Sequence, residues 1–222
     1  MERMKTCVII GAGACNVQWL KKQLIIGEKD LCIAADGGLD YLSQIGLTPD
    51  IVLGDMDSLD NEEMLDASHT GSRFRVKRLP VEKDDTDMLA AIKEGLAAGY
   101  QQFALYGALG GRLDHTLANI QCLLYLLNRG AKGIIMSDDV SLMLIRNESA
   151  AFAADYARKG KRVSVFAFGG DAYGVSEKGL KYLLDNVTVT LEFPIGVSNE
   201  FIGEDAEIEV KNGMLLICVE GF

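Results

Sequence analysis

Positive charge is scarce in this chain: 22 Lys and Arg face 32 Asp and Glu, a formal net charge of −10. So acidic a chain is a poor candidate for binding DNA or RNA by neutralising phosphates, although a metal and a few placed bases still permit local anion binding. Long apolar runs are missing as well, and none approaches the ~18 residues of a membrane span. The five cysteines (7, 15, 32, 122 and 218) include no CxxC and no paired Cys/His spacing, which argues against a zinc site or a disulfide framework. Embedded in apolar stretches, they read as buried free thiols in a reducing cytoplasm. The start, "MERMKTCVIIGAGAC", imitates a lipoprotein signal, but its apolar part runs only from Cys7 to Ile10, short of the ~7–15 residues such a region uses. It reads better as a strand entering a tight glycine turn. Internal repeats and low-complexity linkers are absent too.

What is present is a sizeable core: 49% of the 222 residues are apolar. That length is long for one domain and short for two full ones. Up to about residue 140, short apolar runs recur at "CVIIG" (7–11), "LCIAA" (31–35), "DIVLG" (50–54), "FRVKRL" (74–79), "FALYG" (103–107) and "GIIMS" (133–137). Helical spacing separates most of them. Met88, Ile92 and Leu96 share a face of a segment starting near Asp84. Leu117, Ile120, Leu124 and Leu127 do the same between Asp114 and Asn128, with Gly130 placed to end the helix. Strand–helix alternation predicts a mostly parallel sheet covered on both faces, a Rossmann-like three-layer α/β domain over residues 1–140. Right-handed crossovers bring the C-terminal ends of its strands to one edge, where open sheets of this kind bind ligands.

Beyond residue 140 the texture changes. "RVSVFAF" (162–168), "NVTVTLEF" (186–193), "AEIEV" (206–210) and "MLLICV" (214–219) are strand-like, joined by turn-like "GGDAYG", "PIGVSN" and "VKNG". "KNG" between two strands suggests a hairpin. Residues 141–222 are expected to form an all-β sandwich domain.

The acids concentrate at the predicted binding edge. Asp36 follows the second strand, Asp55 and Asp57 the third, "EKDDTD" (82–87) the fourth, and Asp114 lies in "GALGGRLDHTLAN" after the fifth. Each has an ordinary alternative: Asp84 or Asp114 as helix caps, Asp87 as a first-turn acid, Gly37 and Gly38 as a tight turn, Asp60 as a solvated or capping residue. Together they point elsewhere. Two carboxylates ~6 Å apart at an effective dielectric of ~20 repel by about 3 kcal/mol, equivalent to about two pKa units. A hard divalent cation is the economical neutraliser, and Mg²⁺ commonly takes one or two carboxylates plus substrate phosphates. "GALGGR" sets backbone N–H groups and Arg112 at a helix N-terminus, suited to an anion. It lacks the GK[ST] ending of a Walker A motif. The "GAG" at 11–13 also follows a strand. Acids beside glycine turns and an arginine suggest a nucleoside triphosphate.

In this order the chain contains "DGGLDYL", "PDIVLGDMDSL", "EKDDTD", "YGALGGRLDHTLANI", "GLKYLL" and "VSNEF", from Asp36 to Phe201. The set closely resembles the thiamine pyrophosphokinase family. The resemblance implies an α/β domain that binds ATP and Mg²⁺, a β-sandwich domain that helps bind thiamine, and a homodimer with active sites between subunits. It implies transfer of the β,γ-pyrophosphoryl group of ATP to the thiamine hydroxyl, with release of AMP. Neither nucleic acid nor membrane is an expected partner.

The residue roles follow from the same resemblance. Asp55 and Asp57 would hold Mg²⁺, with Asp84 and Asp87 as further ligands or orienting its waters, and Asp84 the first candidate to accept the hydroxyl proton. Lys83 and Arg112 would contact phosphates. Asp36, Gly37, Thr86, Gly110 and Gly111 would line the nucleotide site. Asp114 would order its loop or join the metal site, and Asn119, one helical turn on, would face the nucleotide. For His115 a structural role and a ligand contact stay open. Tyr182 would stack on a thiamine ring, where other members of the family carry tryptophan; a half-buried core tyrosine is the alternative. Ser198 and Asn199 would hydrogen-bond the pyrimidine. Trp19 lies outside the motifs and reads as helix packing. Two rivals compete: a haloacid-dehalogenase-like Mg²⁺-dependent phosphatase, built on the DxD at 55–57 and "MSDD" (136–139), and a non-catalytic thiamine- or nucleotide-binding protein.

Overall fold

The computed structural model describes residues 4–54, 74–80 and 84–221. The chain divides into two compact units, Met1–Asp138 and Asp139–Phe222.

The first unit alternates as expected: β1 (Cys7–Ile10), α1 (Val17–Gln23), β2 (Leu31–Ala35), α2 (Gly38–Gln44), β3 (Ile51–Gly54), β4 (Arg75–Arg78), α3 (Asp87–Ala97), β5 (Gln102–Tyr106), α4 (Leu113–Leu127) and β6 (Lys132–Met136). Its strands pair in parallel in the order β6-β5-β1-β2-β3-β4. The strands β1, β2 and β3 are almost wholly buried, which explains their continuous apolar runs. By contrast β4 is exposed at all four positions. Arg75 and Lys77 on it pair with Glu94 of α3, a charged finish suited to an outer strand. Chain order runs outward from β1 through β4, then returns to β1's other side with β5. The strand order therefore reverses between β1 and β5, the kind of crevice where open α/β sheets seat ligands.

Two helices differ from the sequence reading. The buried face of α4 carries Asn119, Cys122, Leu123 and Leu126, not the expected Leu117 stripe; Leu117 is exposed. So many leucines surround this helix that periodicity alone admits two faces. A polar anchor marks the inner one: Asn119 Nδ2 donates to the carbonyl of Ala108 at 2.7 Å. Helix α3 starts after Thr86, whose Oγ1 accepts from Leu89 N–H at 3.2 Å, so Thr86 is the cap and Asp84 lies outside.

The second unit holds β7 (Val140–Arg146), β8 (Ser149–Phe152), β9 (Arg162–Ala167), β10 (Ala172–Lys178), β11 (Val187–Val189), β12 (Asn199–Glu200), β13 (Ala206–Glu209) and β14 (Met214–Glu220). Two antiparallel sheets, β12-β9-β14-β7 and β11-β10-β13-β8, enclose a core that includes Phe152, Val165, Val175, Phe201, Ile208 and Ile217. The "KNG" turn is not a hairpin. It carries the chain from β13 in one sheet to β14 in the other, because alternate apolar residues of both strands face the shared core. "NVTVTLEF" is strand only over Val187–Val189. "AYG", read as turn, opens β10.

Among the described residues no helix is long and apolar enough to cross a membrane. The five cysteines are free thiols, with Cys7, Cys32 and Cys122 buried.

Candidate active site

At the β1/β5 crevice two glycine-rich turns meet. Gly11 N–H donates to the carbonyl of Tyr106 and Gly13 N–H to that of Gly107, both at 2.8 Å. The approach is close enough that a Cβ on Gly107, whose φ is +57°, would fall 2.3 Å from the carbonyl oxygen of Gly11. Only glycine fits that space and that left-handed backbone. The Tyr41 hydroxyl donates to the carbonyl of Gly13 at 3.0 Å, and Asn119 holds Ala108 from behind. The turns are thus fixed by bonds from their far sides.

Between them opens a cavity of about 510 Å³, lined by Gly11–Ala14, Ala35, Asp36, Asp85, Thr86, Asp87, Met88, Gly107, Ala108, Gly110, Gly111, Arg112, His115 and Asn119. That volume suits a small-molecule site. The loops after β1, β2 and β5 and the start of α3 all contribute, as the strand-end argument requires. Of the expected residues, Asp36, Thr86, Asp87, Gly110, Gly111, Arg112, His115 and Asn119 reach the wall. Gly37 is buried at the start of α2, while Asp84 and Asp114 are exposed and absent from the lining. Asp55, Asp57, Asp60 and Lys83 lie outside the described residues.

Local chemistry differs from wall to wall. Asp36 is 7% exposed with φ +52°, a conformation that non-glycine residues adopt mainly where the surroundings impose it. Arg112, exposed at the mouth, forms a two-point pair with Asp114: Nη2 to Oδ2 at 2.6 Å and Nε to Oδ1 at 3.1 Å. The guanidinium holds the Asp114 carboxyl down at about 2. Asp114 thus orders Arg112 rather than capping the helix. His115 is exposed and lines the cavity, a position open to a ligand. Asp85 was not singled out by sequence; it lines the cavity and pairs with Lys93 at 2.6 and 2.7 Å. Gly11 and Gly13 were legible only as a weak "GAG". Their partner turn, 96 positions later, gives them meaning.

For a divalent cation, Asp36, Asp85 and Asp87 offer hard oxygen donors on the wall. Among the described residues no group of three or more His, Cys, Asp or Glu gathers as a ready-made cage. Asp85 is already paired with Lys93, so this wall could contribute one or two carboxylates to Mg²⁺ beside phosphate oxygens.

In the second unit, Tyr182 is 61% exposed, so it is not a core tyrosine. Lys181 Nζ stands 5.3 Å from its ring centroid, within the range of a cation–π contact. Ser198 is also exposed, with φ +62°, and its N–H donates to Ser164 Oγ at 3.0 Å. Asn199 departs from expectation: it is 5% exposed. Its Nδ2 donates to Glu177 Oε2 at 2.9 Å and to the carbonyl of Tyr182, and its Oδ1 accepts from Tyr182 N–H at 3.0 Å and Glu200 N–H at 2.9 Å. Both donors and both lone pairs are engaged within the chain, so a pyrimidine contact from Asn199 would have to replace or share one of these bonds. A side-chain amide surrounded by polar residues in "VSNEF" gave no sign of this from sequence.

Two family models match the chain in succession: thiamin pyrophosphokinase, catalytic domain, over residues 22–135, and thiamin pyrophosphokinase, vitamin B1 binding domain, over residues 150–215. A thiamine pyrophosphokinase of Bacillus subtilis (strain 168) is 30% identical over 221 residues, covering 96% of this chain and 98% of its own. The chain belongs to the thiamine pyrophosphokinase family. A rice (Oryza sativa subsp. japonica) thiamine pyrophosphokinase 1 is 26% identical over 174 residues, 76% of this chain and 64% of its own. Solved structures of thiamine pyrophosphokinases share this fold. A crystal structure of the Bacillus subtilis thiamine pyrophosphokinase superposes with a TM-score of 0.86 at 24% identity, covering 98% of this chain and 100% of that one. Yeast thiamin pyrophosphokinase gives 0.79 at 16% identity, covering 100% and 88%.

Proposed function

We propose that this chain transfers the β,γ-pyrophosphoryl group of ATP to the hydroxyl of thiamine, giving thiamine diphosphate and AMP. The observation that carries the reading is the succession of the catalytic and the vitamin B1 binding family models over the two compact units. The cavity at the β1/β5 crevice supports ATP binding in the first unit, and the exposed Tyr182 ring supports thiamine binding in the second. The phosphatase alternative is not favoured, because both models belong to one pyrophosphokinase family.

The chemistry is an in-line displacement. The thiamine hydroxyl oxygen bonds to the β-phosphorus, the bond from that phosphorus to the oxygen bridging the α-phosphate breaks, and AMP leaves with the electron pair. The hydroxyl proton passes to a carboxylate, for which Asp84 is the first choice and Asp87 the next. Catalysis then rests on positioning and on neutralising charge at the phosphates. Lys83 and Arg112 contact phosphate oxygens, with Arg112 exchanging Asp114 for the nucleotide. Backbone N–H groups of the Gly110–Gly111 turn face the same anion, and Asp36, Thr86, His115 and Asn119 complete the wall. Asp55 and Asp57 would hold Mg²⁺, with whichever of Asp84 and Asp87 does not take the proton as a further ligand, and the bound ion would offset charge on the phosphates. Tyr182 stacks on the thiamine, and Ser198 lies beside it.

We place the enzyme in the cytoplasm and assign it a homodimer with active sites at the subunit interface. Four alternate apolar side chains in the second unit, Leu191, Phe193, Ile195 and Val197, are 44–64% exposed, a strip suited to burial against a second copy. Purified protein incubated with thiamine, ATP and Mg²⁺ should yield AMP and thiamine diphosphate in equal amounts. Formation of ADP, or of inorganic phosphate alone, would overturn the reading.

A further inference from the structure

Strand β10 alternates inward and outward residues, and Val175 and Glu177 both face the core. An apolar residue is expected at the second position. Glu177 is 3% exposed instead, and its carboxylate accepts one hydrogen bond, from Asn199 Nδ2 at 2.9 Å. Its cross-strand partner on β13 is the fully buried Ile208. Charged groups on the surrounding elements are Lys178 on the same strand, Glu207 and Glu209 on β13, Glu200 on β12, and Lys181 and Asp185 in the segment that follows. None of these bonds Glu177: Lys178 pairs with Glu207 at 2.9 Å and Lys181 with Glu200 at 3.1 Å.

The other end of this bond network is a main chain, not a core. Asn199 clasps both the N–H and the carbonyl of Tyr182, taking the place of a neighbouring strand, while the Tyr182 ring projects outward. We propose that Glu177 is a positioning residue for thiamine: through Asn199 it fixes the backbone of Tyr182 and so the place of the exposed ring. This rests on the reading of Tyr182 as the thiamine contact. A core carboxyl that bonds only the residue clasping this backbone is hard to explain by packing alone, since an apolar side chain would fill the position at less cost.

Burial pushes the Glu177 carboxyl up to about 7, so its charge changes between pH 6 and pH 8. Above that pH the bond to Asn199 is charge-assisted and tighter; below it the bond joins neutral groups. The thiamine KM should therefore fall about three- to tenfold between pH 6 and pH 8, the step between a neutral and a charge-assisted bond. The ATP KM should not follow it. Glu177→Gln keeps an accepting oxygen without a titration, so its thiamine KM should sit near the wild-type acid value at both pH values. A Glu177→Gln variant that retains the wild-type pH step, or its low KM at pH 8, overturns the proposal. If that variant does not fold, the wild-type profile decides: no step near pH 7 in the thiamine KM overturns the proposal equally. Tyr182→Ala, run alongside, separates the premise. An unchanged thiamine KM there removes the Tyr182 reading itself and the proposal with it, whereas a raised KM beside a wild-type-like Glu177→Gln removes the proposal alone.

Discussion

In the parallel-sheet unit, polar groups line a cavity and glycine backbones hold its rim. In the sandwich unit an aromatic ring stands in solvent, and the polar groups Glu177 and Asn199 lie buried beneath it. The two arrangements suit their proposed ligands. A polyphosphate needs many fixed donors around a concave wall. A flat cationic ring needs one face presented at the right height. Acids in the two regions are driven in opposite directions: Asp114 is held at about 2 by Arg112, and Glu177 is pushed up to about 7 by burial.

The rigidity claimed for the cavity rim can be broken at one atom. Gly107→Ala places a Cβ 2.3 Å from the Gly11 carbonyl oxygen on a backbone with φ +57°. Overpacking and left-handed strain together should cost about 3 kcal/mol or more, a fall in Tm of roughly 10 °C, with loss of turnover. Gly111→Ala, with φ +67° but nothing within 4 Å, should cost only about 1 kcal/mol. Equal losses in thermal unfolding would show that left-handed φ alone, not the meeting of the two turns, sets the cost.

The sandwich unit's buried carboxyl makes a smaller, pH-dependent mark. Its folded value of about 7 lies above the ordinary 4.5, so between these pH values the folded state binds the extra proton. The stability contribution is complete below about 4.5 and is lost as pH rises through about 7, on the order of 3 kcal/mol. Glu177→Gln should lose that slope and be more stable than wild type at pH 8. A parallel pH–stability curve for the variant would contradict the assignment of the slope to Glu177.

The same contrast explains what was legible in the sequence. The alternation of buried strands and helices, and the clustering of acids and glycines at strand ends, are local patterns, so the first unit's sheet could be read directly, while about half of its cavity wall came through the motifs that carry the family resemblance. What escaped was contact between distant segments. The two glycine turns face each other only because β1 and β5 are neighbours. The inner face of α4 is marked by the bond from Asn119 to Ala108 beside buried Cys122, Leu123 and Leu126. In the sandwich, short strands separated by Gly and Asn look like hairpins whether the chain turns back or crosses to the other sheet, so "KNG" misled. Nor does motif position say whether the bonds of the Asn199 amide are already taken within the chain.

The central claim, that one unit binds the nucleotide and the other the thiamine, is tested most directly by steady-state kinetics with both substrates varied, on Arg112→Ala and Tyr182→Ala. Arg112→Ala should raise the ATP KM about tenfold or more while leaving the thiamine KM within about twofold. Tyr182→Ala should raise the thiamine KM about tenfold and leave the ATP KM within about twofold. If Tyr182→Ala instead shifts both constants together, or leaves the thiamine KM unchanged, the division of the two substrates between the two units is contradicted.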